Sequence, residues 1–339
     1  MKKKIPYQFF LLAVLLVLCF GMNISFGSVD IPLSATINEL FGFGNSNDSY
    51  GYIIWDYRIP KAFTAILVGS GLSLSGLLMQ TLFRNPLAGP FVLGISSGAS
   101  LGAALLIMGG GLFTMGYSLV NDFSLSIASS LGSILVLLIV VAIARKVKDT
   151  MALLIIGLMF ASITAAVVTV LSYFARADEL QQYIFWTFGT VGNLSNSQVL
   201  ILASIISVGF LLSFGTVKSL NALLLGENYA RSLGVKIGRS RNLIIVATGL
   251  LAGSVTAFAG PIAFIGLAVP HLTRQLLNTT DHKVLIPGVM LYGGILLLIC
   301  DTIAQLPSSS YVLPINAITS IIGAPVVIWL LLRKRNMIF

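Results

Sequence analysis

Apolar residues run through this chain in stretches too long for strands and too uninterrupted for surface helices. No Asp, Glu, Lys or Arg occurs from Asn85 to Asn121, from Met151 to Ala175 or from Thr302 to Leu332, and each run exceeds the ~20 residues that cross a bilayer as a helix. Charged or turn-rich breaks divide the apolar sequence into ten predicted spans: Phe9–Phe26, Phe63–Phe83, Val92–Met108, Leu125–Ala144, Met151–Phe174, Val199–Val217, Leu243–Phe258, Pro261–Leu277, Val284–Ile303 and Ile315–Leu332. The fold class is an all-α polytopic membrane protein of about ten transmembrane helices.

The polar breaks also orient the spans, because Lys and Arg favour cytoplasmic loops. With both termini inside, the inner segments collect all 20 basic residues except Arg58, Lys61 and Arg176, while the outer face gathers Asp30, Glu39, Asp48, Asp56, Asp122, Asp178 and Glu179. The net charge of +9 is thus a topology signal, with some attraction to anionic membrane lipid, and not a nucleic-acid surface.

Composition agrees: 57% of residues are hydrophobic and 9% charged, against about a quarter charged in a soluble domain. A single membrane domain over residues 1–339 is expected, since no polar stretch is long enough for a core of its own. Lys2-Lys3-Lys4 before an apolar run resembles a signal peptide, but no small-x-small cleavage site follows, which favours a retained first span. Cys19 and Cys300 lie in apolar runs and read as buried hydrophobes. Asn45-Ser46-Asn47-Asp48-Ser49 reads as a turn. Small residues such as Gly69-Ser70-Gly71 and Ser96-Ser97-Gly98 suit close helix packing more than cargo binding. Ala88-Gly89-Pro90-Phe91-Val92-Leu93-Gly94 is echoed by Ala259-Gly260-Pro261-Ile262-Ala263-Phe264-Ile265-Gly266, the first at an inner and the second at an outer break. Inverted repeats with Gly/Pro-interrupted helices and chance both account for so short a match.

Energy coupling narrows the function. Ion-coupled carriers keep ionisable groups inside their spans, whereas here Asp301, His271 and Arg274 sit near helix ends, where capping and snorkelling account for them. The Gly234–Ser240 stretch has neither the spacing nor the Lys of a phosphate-binding loop, so any ATP is hydrolysed by a partner. The inner segment at about 218–241 suits docking to one: short helical stretches around Gly226 and Gly234 carry apolar residues, with Glu227 and Arg231 at (i, i+4) spacing.

Several motifs in order, over nearly the whole chain, resemble the iron-siderophore, haem and cobalamin permease family, the membrane subunits of type II ABC importers. They are Arg58-Ile59-Pro60-Lys61, Gly76-Leu77-Leu78-Met79-Gln80, Arg84-Asn85-Pro86-Leu87-Ala88-Gly89-Pro90, Gly226-Glu227-Asn228-Tyr229-Ala230, Leu233-Gly234-Val235, Gly260–Leu267, Pro270–Arg274, Leu313-Pro314 and Gly323-Ala324-Pro325. The resemblance implies a second permease subunit around a central pathway (a homodimer is expected), two cytoplasmic ATPases holding ATP and Mg, an extracytoplasmic binding protein, and a bacterial inner-membrane location with no cofactor on this chain. It implies that Glu227, Ala230, Leu233 and Gly234 receive the ATPase stroke. Arg58 and Lys61 either face the binding protein or anchor the second span. Thr164, Thr169 and Ser172 on the fifth span are candidates for pathway lining, and Asn85, Pro86, Leu87 and Thr150 are gate candidates by location. Val312 and Gln305 stand where the family often has Glu and Arg, which weakens a third docking contact.

The alternatives are an ion-coupled secondary transporter and a membrane-embedded enzyme. The bare spans and the docking segment disfavour the first. Two scattered His and two separated Cys make no catalytic cluster for the second. Siderophore, haem and cobalamin all stay open as cargo.

Overall fold

The computed structural model describes residues 5–27, 29–41, 49–109, 121–147, 149–306 and 311–332. Lys2–Lys4, Lys148, Arg333–Arg335 and all of the predicted Asn45–Ser49 turn except Ser49 lie outside the described residues. Among the described residues every regular element is helical: α1 (Ile5–Ser25), α2 (Leu33–Leu40), α3 (Ser49–Tyr52), a π turn Ile53–Arg58 leading into α4 (Ile59–Phe83), a 3₁₀ turn Pro90–Leu93, α5 (Ile95–Met108), α6 (Asp122–Lys146), α7 (Thr150–Phe174), α8 (Ala177–Thr187), α9 (Asn196–Gly215), α10 (Val217–Leu224), α11 (Glu227–Ser232), α12 (Ile237–Ala259), α13 (Ile265–Leu277), α14 (His282–Ala304) and α15 (Ile315–Leu332).

Each of the ten predicted spans coincides with one helix. Seven stretches, α1, α3–α4, α6, α7, α9, α12 and α14, are long and apolar enough to cross a membrane. Their starts carry local signals. Pro60 opens α4, where its missing N–H costs nothing; Asn121 and Ser124 form a capping box on α6, Ser195 and Gln198 form one on α9, and the Asp149 carboxylate accepts from Met151 N–H on α7, these three satisfying N–H groups that the first turn leaves open.

The other three spans are shorter, and two are so for a structural reason. α5 has 14 residues and α13 has 13, about 20 Å each against the ~30 Å hydrocarbon layer. Both follow the echoed Ala-Gly-Pro segments, whose backbone is irregular. Rather than lying at opposite surfaces, these segments meet inside the bundle: a Cβ on Gly266 would lie 2.7 Å from Pro90 Cδ and 2.8 Å from the Leu72 carbonyl, midway along α4. Irregular backbone at that depth is tolerated because it is packed in protein and not in lipid.

The echo is structural. α4 packs on α14 as α12 packs on α6; α5 packs on α6 and α7 as α13 packs on α14 and α15. Gly157 of α7 is seated against Leu93, and Gly323 of α15 against Phe264, the equivalent position of the second segment. The buried helix α4 is held closest. A Cβ on Gly76 would stand 1.8 Å from the Gly266 carbonyl oxygen, so α4 and α13 touch backbone to backbone, the contact small residues permit in lipid.

Candidate functional site

Two ends of the bundle carry the residues singled out in the sequence: a basic face holding Arg84, Arg145, Lys218 and Arg231, and an acidic face holding Asp30, Asp56 and Asp178. On the basic face the segment between α9 and α12 folds into α10 and α11, joined at Gly226, whose φ of 103° is reserved for residues without a side chain. Leu220, Leu223 and Ala230 are buried against the body. Leu225, Tyr229 and Leu233 are 62%, 51% and 59% exposed and put apolar surface on both sides of the Gly226 turn, Tyr229 and Leu233 four residues apart on α11 and its C-cap. Ala230 therefore fastens α11 down, while Leu233 points away. Gly234, at φ 81°, ends the turn in open space.

Glu227 does not pair with Arg231; no ion pair between them occurs among the described residues. Its Oε1 instead accepts from Thr150 Oγ1 at 2.9 Å, because the start of α7 is close by. The segment expected to receive a stroke and one gate candidate are thus in contact. Arg84, Thr150, Glu227 and Tyr229 share the lining of a cavity of about 720 Å³. Asn85 closes a tight turn by accepting from Leu87 N–H, Leu87 is exposed, and the Pro86 carbonyl lies 2.9 Å from His271 Nε2. These three gate candidates belong to the wall around α13.

A second cluster had no signal in the sequence. Asn221 of α10 donates to Asp281 Oδ1 at 2.7 Å, and its own amide oxygen accepts from His282 N–H at 2.9 Å and lies 2.7 Å from His282 Nδ1. Since the amide nitrogen is committed to Asp281, the imidazole Nδ1 is the donor. His282 Nε2 lies 2.9 Å from Thr81 Oγ1 of α4. Burial pushes the Asp281 carboxyl up, but hydrogen bonds from Lys283 N–H and Asn221 outweigh it and hold it below its usual range. Asn221 and His282 are 61 residues apart, and neither type is informative alone.

The α7 candidates separate by face. Thr164 is buried and donates back to Phe160 and Ala161 carbonyls. Thr169 lies on the exposed face with Met159, Ile163 and Val170, and Ser172 is half-buried beside Met108.

At the acidic face Arg58 and Lys61 line a cavity of about 670 Å³ with Phe188, Asn193, Gln305 and Leu313, yet both are engaged within the chain. Arg58, 7% exposed, donates to the carbonyls of Ile24 and Ser25 at 2.6 and 2.7 Å and to that of Val29, covering the open C-terminus of α1. Lys61 pairs with Asp301 at 3.2 Å. Asp301 also accepts from Asn23 at 2.9 Å and from Gln305 at 2.8 Å. The one carboxylate of α14 is thereby neutralised by a partner, not merely capped. His271 and Arg274 are likewise engaged, the latter with Gln80 at 2.8 Å.

Residues 15–333 match the model of the FecCD transport family. The chain is 38% identical over 283 residues to the vitamin B12 import system permease protein BtuC of Salmonella typhimurium, covering 84% of each chain, and equally similar to that of Citrobacter koseri. Among solved structures it resembles a metal-chelate type ABC transporter in an inward-facing conformation, with a TM-score of 0.84, 29% identity, and 97% and 99% of the two chains covered. PsaBC from Streptococcus pneumoniae in complex with Fab shares the fold at a TM-score of 0.54 and 16% identity, over 80% and 89% of the chains.

Proposed function

The chain belongs to the FecCD transport family, and from that premise we propose that it is the membrane permease of an ATP-driven importer for cobalamin or an iron chelate, working beside a second copy of itself. Two cytoplasmic ATPases holding ATP and Mg dock on the basic face, and an extracytoplasmic binding protein delivers cargo at the acidic face. The chain sits in the bacterial inner membrane with both termini cytoplasmic. The relatives that carry this reading are named for vitamin B12 import, and the structural neighbour for metal-chelate transport.

The observation that carries the coupling is the exposed apolar surface of Leu225, Tyr229 and Leu233 beside the Glu227 to Thr150 hydrogen bond. Exposed apolar surface next to a bond into α7 is what a segment needs to receive a push and pass it on. The exposed face of α7, with Thr169 on it, supports a pathway shared with the second copy, while Thr164 faces the chain's own interior.

The test is reconstitution in liposomes with the neighbouring ATPase and binding protein, adding cobalamin, haem and ferric siderophores one at a time. Uptake that requires both ATP and one cargo supports the reading and identifies the cargo. Uptake driven by an ion gradient without ATP overturns it.

A further inference from the structure

Side-chain hydrogen bonds tie the α10–α11 segment to different bodies: Ser219 of α10 accepts from Ser240 of α12 at 2.9 Å, and two further attachments lead to α14 and to α7. At α10, Asn221 holds Asp281 and His282 at the start of α14, and His282 reaches Thr81 on α4. Thr81 and His282 are 0% and 1% exposed. These two helices are themselves joined along their whole length: by Lys61 and Asp301 at one end, by Gly69 against the Gly293 carbonyl in the middle, by Ser70 donating to Met290 O at 2.7 Å, and by Thr81 and His282 at the other. At α11, Glu227 holds Thr150, the first residue of α7. That helix packs on α5 and the Pro90–Leu93 turn and leaves most of its apolar side chains exposed.

We propose that Asn221 and His282 are positioning residues that form a fixed pivot on the α4–α14 body, and that the Glu227 to Thr150 bond is the moving arm through which α11 shifts α7. This rests on the reading of α10–α11 as the ATPase-docking segment. A push on a segment free at both ends would displace it whole, and little of the motion would reach α7. With α10 fastened by three hydrogen bonds to a rigid pair of helices, the same push rotates α11 about Gly226, the one residue between the helices whose backbone lies in the left-handed region. The pivot bonds and the arm bond are all partly buried; what separates them is anchorage, three bonds onto a pair of helices locked together by the buried Thr81 and His282 against one bond onto the start of a helix with an exposed face.

Spin labels at Ser232, Met151 and Lys283, on a Cys19→Ala and Cys300→Ala background, read the two arms as distances in the complex with the partner ATPase. Trapping with ATP and vanadate is expected to shift the 232–283 distance by about 2–5 Å and to leave 232–151 unchanged. Thr150→Val makes 232–151 shift as well. Asn221→Leu and His282→Phe each broaden the 232–283 distribution before ATP is added, and the double variant broadens it no further, because both remove one contact. A 232–283 distance that stays fixed while 232–151 changes overturns the proposal, as does broadening that adds in the double variant. Failure of the unlabelled chain to bind the ATPase sinks the docking reading and the pivot with it.

Discussion

Lys61 of α4 and Asp301 of α14 stand 3.2 Å apart with side chains only 19% and 4% exposed, so these two long helices are fastened by an ion pair withdrawn from water. Asn23 of α1 and Gln305 occupy the second carboxylate oxygen, which binds three helices at one carboxyl group. An intramembrane acid marks an ion pathway when it is unpaired or relayed; here Lys61, Asn23 and Gln305 converge on it and the site reads as a clamp.

Removing one partner of such a pair leaves the other charge buried and uncompensated. Asp301→Ala is expected to cost about 3 kcal/mol of stability, read as a lower melting temperature of the detergent-purified protein. Adding Lys61→Met to it should recover most of the loss. If the double variant is no more stable than the single, the pair is not what Asp301 is there for.

Arg58 separates anchoring from docking. Lys in its place keeps the charge but loses the planar fork that reaches three carbonyls at once. Arg58→Lys is expected to lower stability by about 1–2 kcal/mol and to expose the chain after Ser25 to protease, while affinity for the binding protein holds. Unchanged stability with weakened binding would return Arg58 to the docking role.

The helices were readable because a span needs ~20 apolar residues in a row whatever surrounds it, and the break at Gly226 because only glycine tolerates its φ. The late starts of α5 at Ile95 and α13 at Ile265 were not, since the run from Val92 onward is equally apolar whether the chain is helical or irregular; only the meeting of Pro90 and Gly266 decides it. The (i, i+4) spacing of Glu227 and Arg231 is legible in the sequence, whereas the bond Glu227 makes is not, because Thr150 is 77 residues away and nothing in a one-dimensional pattern joins them. The Asn221 and His282 contact escaped for the same reason.

Gly76 carries the closest approach between α4 and α13. A methyl group there meets the Gly266 carbonyl, a backbone atom that cannot rotate away, so Gly76→Ala is expected to destabilise the protein by about 1–3 kcal/mol. Gly215→Ala, where a Cβ meets nothing within 4 Å, is the control and should be neutral or slightly stabilising. Equal melting temperatures for the two variants would contradict the packing described.

Glu227 and Leu233 test the coupling segment from its two sides. Leu233 is exposed and touches the body little, so Leu233→Asp should leave folding and membrane insertion intact and weaken binding of the ATPase by about 1–2 kcal/mol, as loss of an apolar anchor does. Glu227→Lys acts differently. It removes the acceptor of the Thr150 hydroxyl and sets a second cation beside Arg84 in the same cavity, so α11 should part from α7 while its apolar surface stays available. ATPase binding and hydrolysis are then expected to persist while cargo moved per ATP falls about tenfold, a coupling loss of about 1.4 kcal/mol. Measuring hydrolysis and uptake in the same vesicles separates the two defects: a Glu227→Lys protein that loses both in proportion has lost its partner, and only one that keeps hydrolysing without transporting has lost the connection between stroke and pathway.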